Sequence, residues 1–138
     1  MTKPSLSLSG AWTGVYDYDN PGQDAVSFVA TLTDIAGVIW GETSEPNSFS
    51  PIPDKDLVAS ISGLRTGREV TFSKEYQASV QGGEEVVFYA GQVSEDGQRI
   101  KGTWRIQFPF EVGGPFVMDR ADGRTAVKER TRFASVEI

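Results

Sequence analysis

The chain has 138 residues, neither Cys nor His, and 13 basic against 19 acidic side chains for a formal charge of −6. That length suits one domain with a core that needs no staples. The composition excludes disulfides, thiolate chemistry and Cys or His metal sites, removes the commonest general base, and argues against free nucleic acid as a partner.

Residues 1–7 read as a flexible leader. The first strand is predicted at about 8–18, where Trp12, Gly14, Tyr16 and Tyr18 share one face and Thr13, Val15 and Asp17 the other. Asn20-Pro21-Gly22 marks a turn. A second strand at about 25–34 puts Val26, Phe28, Ala30 and Leu32 on one side, the half-buried alternation of an antiparallel sheet. A third, about 38–43, groups Val38, Trp40 and Glu42. Residues 44–56 hold three prolines, follow no period, and read as a long loop in which Phe49 and Ile52 are apolar.

A fourth strand is predicted at about 56–64 with Leu57, Ala59 and Ile61 together. Thr66-Gly67 turns into a fifth, about 69–77, where Val70, Phe72, Lys74 and Tyr76 alternate with polar residues. The sixth, about 84–93, is apolar on both faces in its middle, and Phe88, Ala90 and Gln92 are assigned inward. The Asp96-Gly97 pair signals a hairpin. The seventh, about 99–108, sets Ile100, Gly102, Trp104, Ile106 and Phe108 on one face. The eighth, about 115–121, places Phe116, Met118 and Arg120 inward. After Asp122-Gly123 a short helix over 124–130 and a strand or ordered tail over 131–138 are expected, giving an extension, 122–138, that packs on the barrel domain, 8–121.

Eight short strands with brief connections favour an all-β, up-and-down antiparallel barrel, with a β-sandwich as the other arrangement. Such a barrel holds either a layer of side chains or one small ligand. The charge is uneven. Residues 120–138 carry five basic side chains (Arg120, Arg124, Lys128, Arg130, Arg132) and three acidic ones, net +2, and residues 1–119 are net −8. A basic segment lying on an acidic body explains this, as does recruitment of an acidic partner. No run of residues has signal-peptide character or the ~20 apolar residues of a membrane helix, so a cytoplasmic protein without a membrane span is expected.

The Gly10-Ala11-Trp12 opening of the first strand resembles the Gly-x-Trp signature of lipocalins and the similar start of avidins, members of the calycin superfamily of meander barrels. The hairpin Phe88 to Trp104 is similar to one in small bacterial barrels of this kind. The resemblance implies a closed barrel, a small-ligand role, Trp12 as the plug at one end, and a basic residue of the last strand packed over it, for which Arg120 is the candidate. No second lipocalin motif occurs, and avidin's biotin-binding residues have no counterparts that map position by position.

Candidate ligand-binding residues are those expected inside: Trp40, Glu42, Phe72, Lys74, Tyr76, Phe88, Trp104 and Met118. An aromatic lining suits a flat or aliphatic ligand. A charge inside must be paired or wet, so Lys74 either pairs, for example with Glu42, or serves as a handle for a ligand carboxylate. Asp17 with Asp19 and Glu84 with Glu85 do not converge as acid–base pairs need. No cofactor or metal is implied. Three functions remain open: a carrier or sensor of a small hydrophobic or carboxylate-bearing molecule, as monomer or homodimer; a filled structural or protein-interaction barrel; and a cofactor-free cyclase or isomerase. The balance is against an enzyme.

Overall fold

The structure, a computed structural model, describes residues 6–45, 57–76, 86–106 and 111–121. Eight strands follow in order: β1 (Gly10–Tyr16), β2 (Val26–Ile35), β3 (Val38–Glu45), β4 (Leu57–Thr66), β5 (Glu69–Tyr76), β6 (Val86–Val93), β7 (Arg99–Ile106) and β8 (Val112–Ala121). Each pairs antiparallel with the next, and β1 pairs with β8, so the sheet closes into an up-and-down barrel. Closure leaves no strand edge with unpaired backbone groups. The expected fold class is the one found. The expected helix at 124–130, strand at 131–138 and most of the 44–56 loop lie outside the described residues.

Hairpin geometry sets which residues face in. Ile35 pairs with Val38 around the two-residue turn Ala36-Gly37, whose φ angles are 53° and 90°. Two positive φ values make the type I′ twist that suits a tight hairpin. A side chain at Gly37 would meet the Arg65 carbonyl oxygen at 2.5 Å. Because directly opposite residues share a face, Leu32 pairs with Gly41 and Ala30 with Thr43, which turns Ile39, Thr43 and Glu45 inward.

This corrects two inward assignments on β3. Trp40 is 44% exposed and Glu42 is exposed. The same rule corrects β6. Val93 pairs with buried Ile100, so Val87 and Tyr89 point in, while Phe88 (48% exposed) and Gln92 point out. Phe72, Lys74, Trp104, Phe116 and Met118 are buried as their parity implies.

The interior is one continuous cluster running from Leu8 and Trp12 through Leu32, Ile61, Val70, Ile100 and Met118 to Phe72, Tyr89 and Trp104. A flat approach is needed at Gly14, where an added Cβ would fall 2.3 Å from the Phe28 ring. The ring uses the space that a side chain would take.

One end of the barrel carries the short β2–β3, β4–β5 and β6–β7 turns and is sealed. Trp12 is fully buried and donates its indole N–H to the Leu8 carbonyl at 2.9 Å. The Arg120 guanidinium lies 4.7 Å from the Trp12 ring centroid and donates to the carbonyls of Gly97, Ser9 and Ser7. Beside it the Asp34 carboxylate accepts from Leu8 N (2.9 Å), Gly37 N (3.0 Å) and Arg65 Nε (2.7 Å). Burial alone would push this carboxyl up, but the Arg65 hydrogen bond and the two backbone donors outweigh it and hold it below its ordinary value.

Two predictions follow from the turn and the seal. Asn suits the left-handed conformation that Ala tolerates poorly, so Ala36→Asn should raise unfolding free energy by about 0.5–1 kcal/mol in urea denaturation. Asp34 favours the folded state above its unfolded pKa of about 4, and that contribution is lost as pH falls through the lower folded value. Asp34→Asn should therefore cost about 2–3 kcal/mol at pH 7 and flatten the acid limb of the stability profile; an unchanged acid limb contradicts the assignment.

Candidate functional site: a tyrosine-ringed ion pair

At the other end of the barrel, where β1, β3 and β5 finish, the interior becomes polar. Glu45 and Lys74 point inward from β3 and β5, each side chain 2% exposed, with Lys74 Nζ 3.2 Å from Glu45 Oε1. The Tyr16 hydroxyl donates to Glu45 Oε2 at 2.6 Å and the Tyr76 hydroxyl to Oε1 at 2.8 Å. The ammonium faces the rings of Tyr16 (4.7 Å), Tyr76 (4.8 Å), Tyr89 (5.3 Å) and Phe28 (5.8 Å), distances at which ring quadrupoles attract a cation.

The surrounding aromatics are fixed against each other. Phe72 stacks on Tyr89 at 4.7 Å, and Phe116 meets Tyr89 edge-on at 5.0 Å. Trp104 contacts Tyr16 and Tyr18 edge-on at 5.3 and 5.1 Å and donates its indole N–H to the Asp17 carbonyl. The tyrosines are thus held by packing and by Glu45 together, and offset or edge-on pairs add to area burial.

Burial opposes the charge on Lys74, but the hydroxyl-bearing rings of Tyr89 and Tyr76 and the Glu45 carboxylate more than offset it, and its pKa is raised. Burial, reinforced by the Glu45 charge, pushes the Tyr16 hydroxyl far above the phenol range. Tyr76 and Tyr89 also move up, burial being the largest cause in each. At neutral pH the Lys74 ammonium is therefore charged and the phenols of Tyr16, Tyr76 and Tyr89 are protonated.

One polar atom stands apart. Thr43 is 2% exposed, faces inward two residues before Glu45, and its hydroxyl has no hydrogen-bond partner among the described residues. Its strand neighbours are Ala30 and Ala59, and Ala59 in turn faces Tyr76. Both cross-strand neighbours of Thr43 are therefore small.

Of the residues expected to bind a ligand, the structure brings Phe72, Lys74, Tyr76 and Trp104 together here. Met118 lies deeper, paired with Gly14 and Ile100. Trp40, Glu42 and Phe88 are outside the barrel and not part of the cluster, so the pairing of Lys74 with Glu42 is replaced by pairing with Glu45. Sequence reasoning missed Glu45, Tyr89 and Thr43. The signal for Thr43 and Glu45 was the Ala36-Gly37 turn, and for Tyr89 the pairing of Val93 with Ile100. Among the described residues no group of three or more acidic side chains is placed to hold a metal ion, and no helix is long and apolar enough to cross a membrane.

The architecture is that of an eight-stranded closed meander, consistent with a calycin-like barrel. No family model matches the chain, and no curated protein matches it.

Removing one partner of a buried pair strands the other, so Lys74→Met should cost about 3–5 kcal/mol in denaturant unfolding, and adding Glu45→Gln should recover most of it. The raised pKa values of Lys74 and the tyrosines favour the folded state fully below their unfolded values near 10, and this is lost as pH rises through the folded values. Titration with base should therefore show part of the tyrosinate absorbance appearing together with unfolding, not before it; early ionisation of all four tyrosines contradicts the ring.

Proposed function

We propose that the protein is a non-catalytic binding barrel that takes a small, neutral, mostly apolar molecule at its polar mouth, with one hydrogen-bonding group of the ligand directed to Thr43. The observation that carries this is the unpartnered, buried Thr43 hydroxyl beside a site of convergent polar groups with shifted pKa values and aromatic walls. Such a combination is the usual mark of a ligand site in a fold of this size. A bland alternative for a buried polar group, complete internal pairing, accounts for Glu45, Lys74 and the tyrosines but not for Thr43.

The charge state narrows the ligand. Lys74 is already neutralised by Glu45, so a ligand carboxylate would have to break a buried pair. A neutral hydroxyl, carbonyl or amide asks nothing of that pair. Proton-transfer chemistry fits less well, since Lys74 and the three tyrosines are all pushed away from neutrality, opposite to what a general acid or base needs.

Native mass spectrometry of protein purified from its own host tests the reading, followed by melting curves with a panel of neutral lipids and metabolites. A retained neutral compound, or a compound that raises the melting temperature, is expected. Its retention should weaken about tenfold in Thr43→Val, the loss of one buried hydrogen bond. Repeatedly empty protein and a panel without effect would rule the reading out.

A further inference from the structure

The outer wall of the barrel is not uniformly polar. Among the described residues six large apolar side chains are exposed, and four of them, Val38, Trp40, Leu64 and Phe88, stand on the wall made by β3 to β6. Cross-strand pairing sets their order. One row reads Trp40, Ser62, Ser73, Phe88, Arg105, and the next reads Val38, Leu64, Thr71, Ala90. Large residues thus stand on both sides of a strip of small ones. A groove of about 470 Å³ follows that strip, lined by Ser62, Leu64, Ser73, Phe88 and Arg105 among others, and Trp40 stands on the next strand outside it. The exposed parts of the four large side chains come to roughly 400 Å², within the range of the largest apolar patch that a monomer leaves open, and such a patch often has a function.

We infer that this wall is the face on which two copies of the chain pair, about a twofold axis that runs along the strands between β4 and β5. Three observations select a second copy. The first is shape. Two barrels laid side by side touch along a line and diverge on either side of it. Ser62 and Ser73 keep that line low, and Trp40 on one flank and Phe88 on the other are large enough to fill the two wedges. The twofold puts Ser62 against the partner's Ser73 and Trp40 against the partner's Phe88. The second is charge. Arg105 closes the row beyond Phe88, and Glu42 lies beside Trp40, one row toward the mouth. Both are exposed, and neither has an ion-pair partner among the described residues. The same axis carries Arg105 to the flank of the partner's Glu42, twice over in one dimer, which lets a net acidic chain pair with itself. The third is area. A standard interface buries about 800 Å² on each partner, a little over half of it apolar, and the exposed patch supplies that apolar share. The closed sheet has no free edge, so a peptide cannot join it as a ninth strand.

The charge pair gives the test, because its two halves can be placed on different molecules. Native mass spectrometry and sedimentation equilibrium of the full chain should show a dimer in the micromolar range. Arg105→Glu and Glu42→Arg should each weaken it at least about tenfold, since each sets two like-charged pairs across the axis. Mixed in equal amounts, the two variants should form a heterodimer about as tight as the original dimer, because every altered charge then faces its opposite. Phe88→Ser should weaken the dimer about a hundredfold, the twofold counting the lost ring twice. All three positions lie on the outer wall, and circular dichroism checks that each variant is folded. A chain still monomeric at roughly 1 mM overturns the inference. So does a dimer that Phe88→Ser and the charge substitutions leave unchanged, which pairs through another face.

Discussion

The ion pair between Glu45 and Lys74 is the constraint around which the mouth half of the barrel is arranged. Two charges at 2% exposure each must be compensated by protein, because water is not there to do it. Tyr16 and Tyr76 supply hydroxyl donors to the carboxylate, and four aromatic rings supply their negative faces to the ammonium. Those rings in turn need fixed positions, which Phe72, Phe116 and Trp104 provide. A hydrophobic replacement of the pair could be as stable or more so. The pair is therefore better understood as an organiser of polar groups than as a source of stability.

The sealed end shows the opposite economy. There the charged groups cap backbone: Arg120 donates to three carbonyls, and Asp34 accepts two backbone N–H groups besides Arg65. Apart from the Asp34–Arg65 pair, which joins β2 to β4, these contacts tie a turn or residues 7–9 across the barrel floor. Thr43 has no such employment at the mouth. The two ends thus differ: at one the polar contacts are satisfied, while at the other the Thr43 hydroxyl has no partner among the described residues, and the proposed ligand site rests on that difference.

The barrel was legible because a period of two is written clearly into β1, β2, β5, β7 and β8, each flanked by turn residues. Facing was legible only where one side of a strand was plainly polar. On β3 the size of Trp40 suggested the core, yet the two-residue turn at Ala36-Gly37 fixes the opposite parity through Leu32 and Gly41. On β6 both faces are apolar, so Phe88 and Tyr89 compete on equal terms until the pairing of Val93 with Ile100 decides. Lys74 could be placed inside from its own strand. Its partner could not, because Glu45 falls at the edge of a proline-rich stretch where local pattern ends and only the pairing of β3 with β4 extends the strand.

The most direct test of the ringed pair as a ligand site is nitrogen-15 NMR of the lysine side chains, with and without a compound that the protein retains. Lys74 should appear as one charged ammonium with slowly exchanging protons at neutral pH, distinct from the four other lysines, and its resonance should move when the compound binds. A Lys74 signal that exchanges as fast as the others, or that stays in place while a retained compound is released and rebound, would contradict the site.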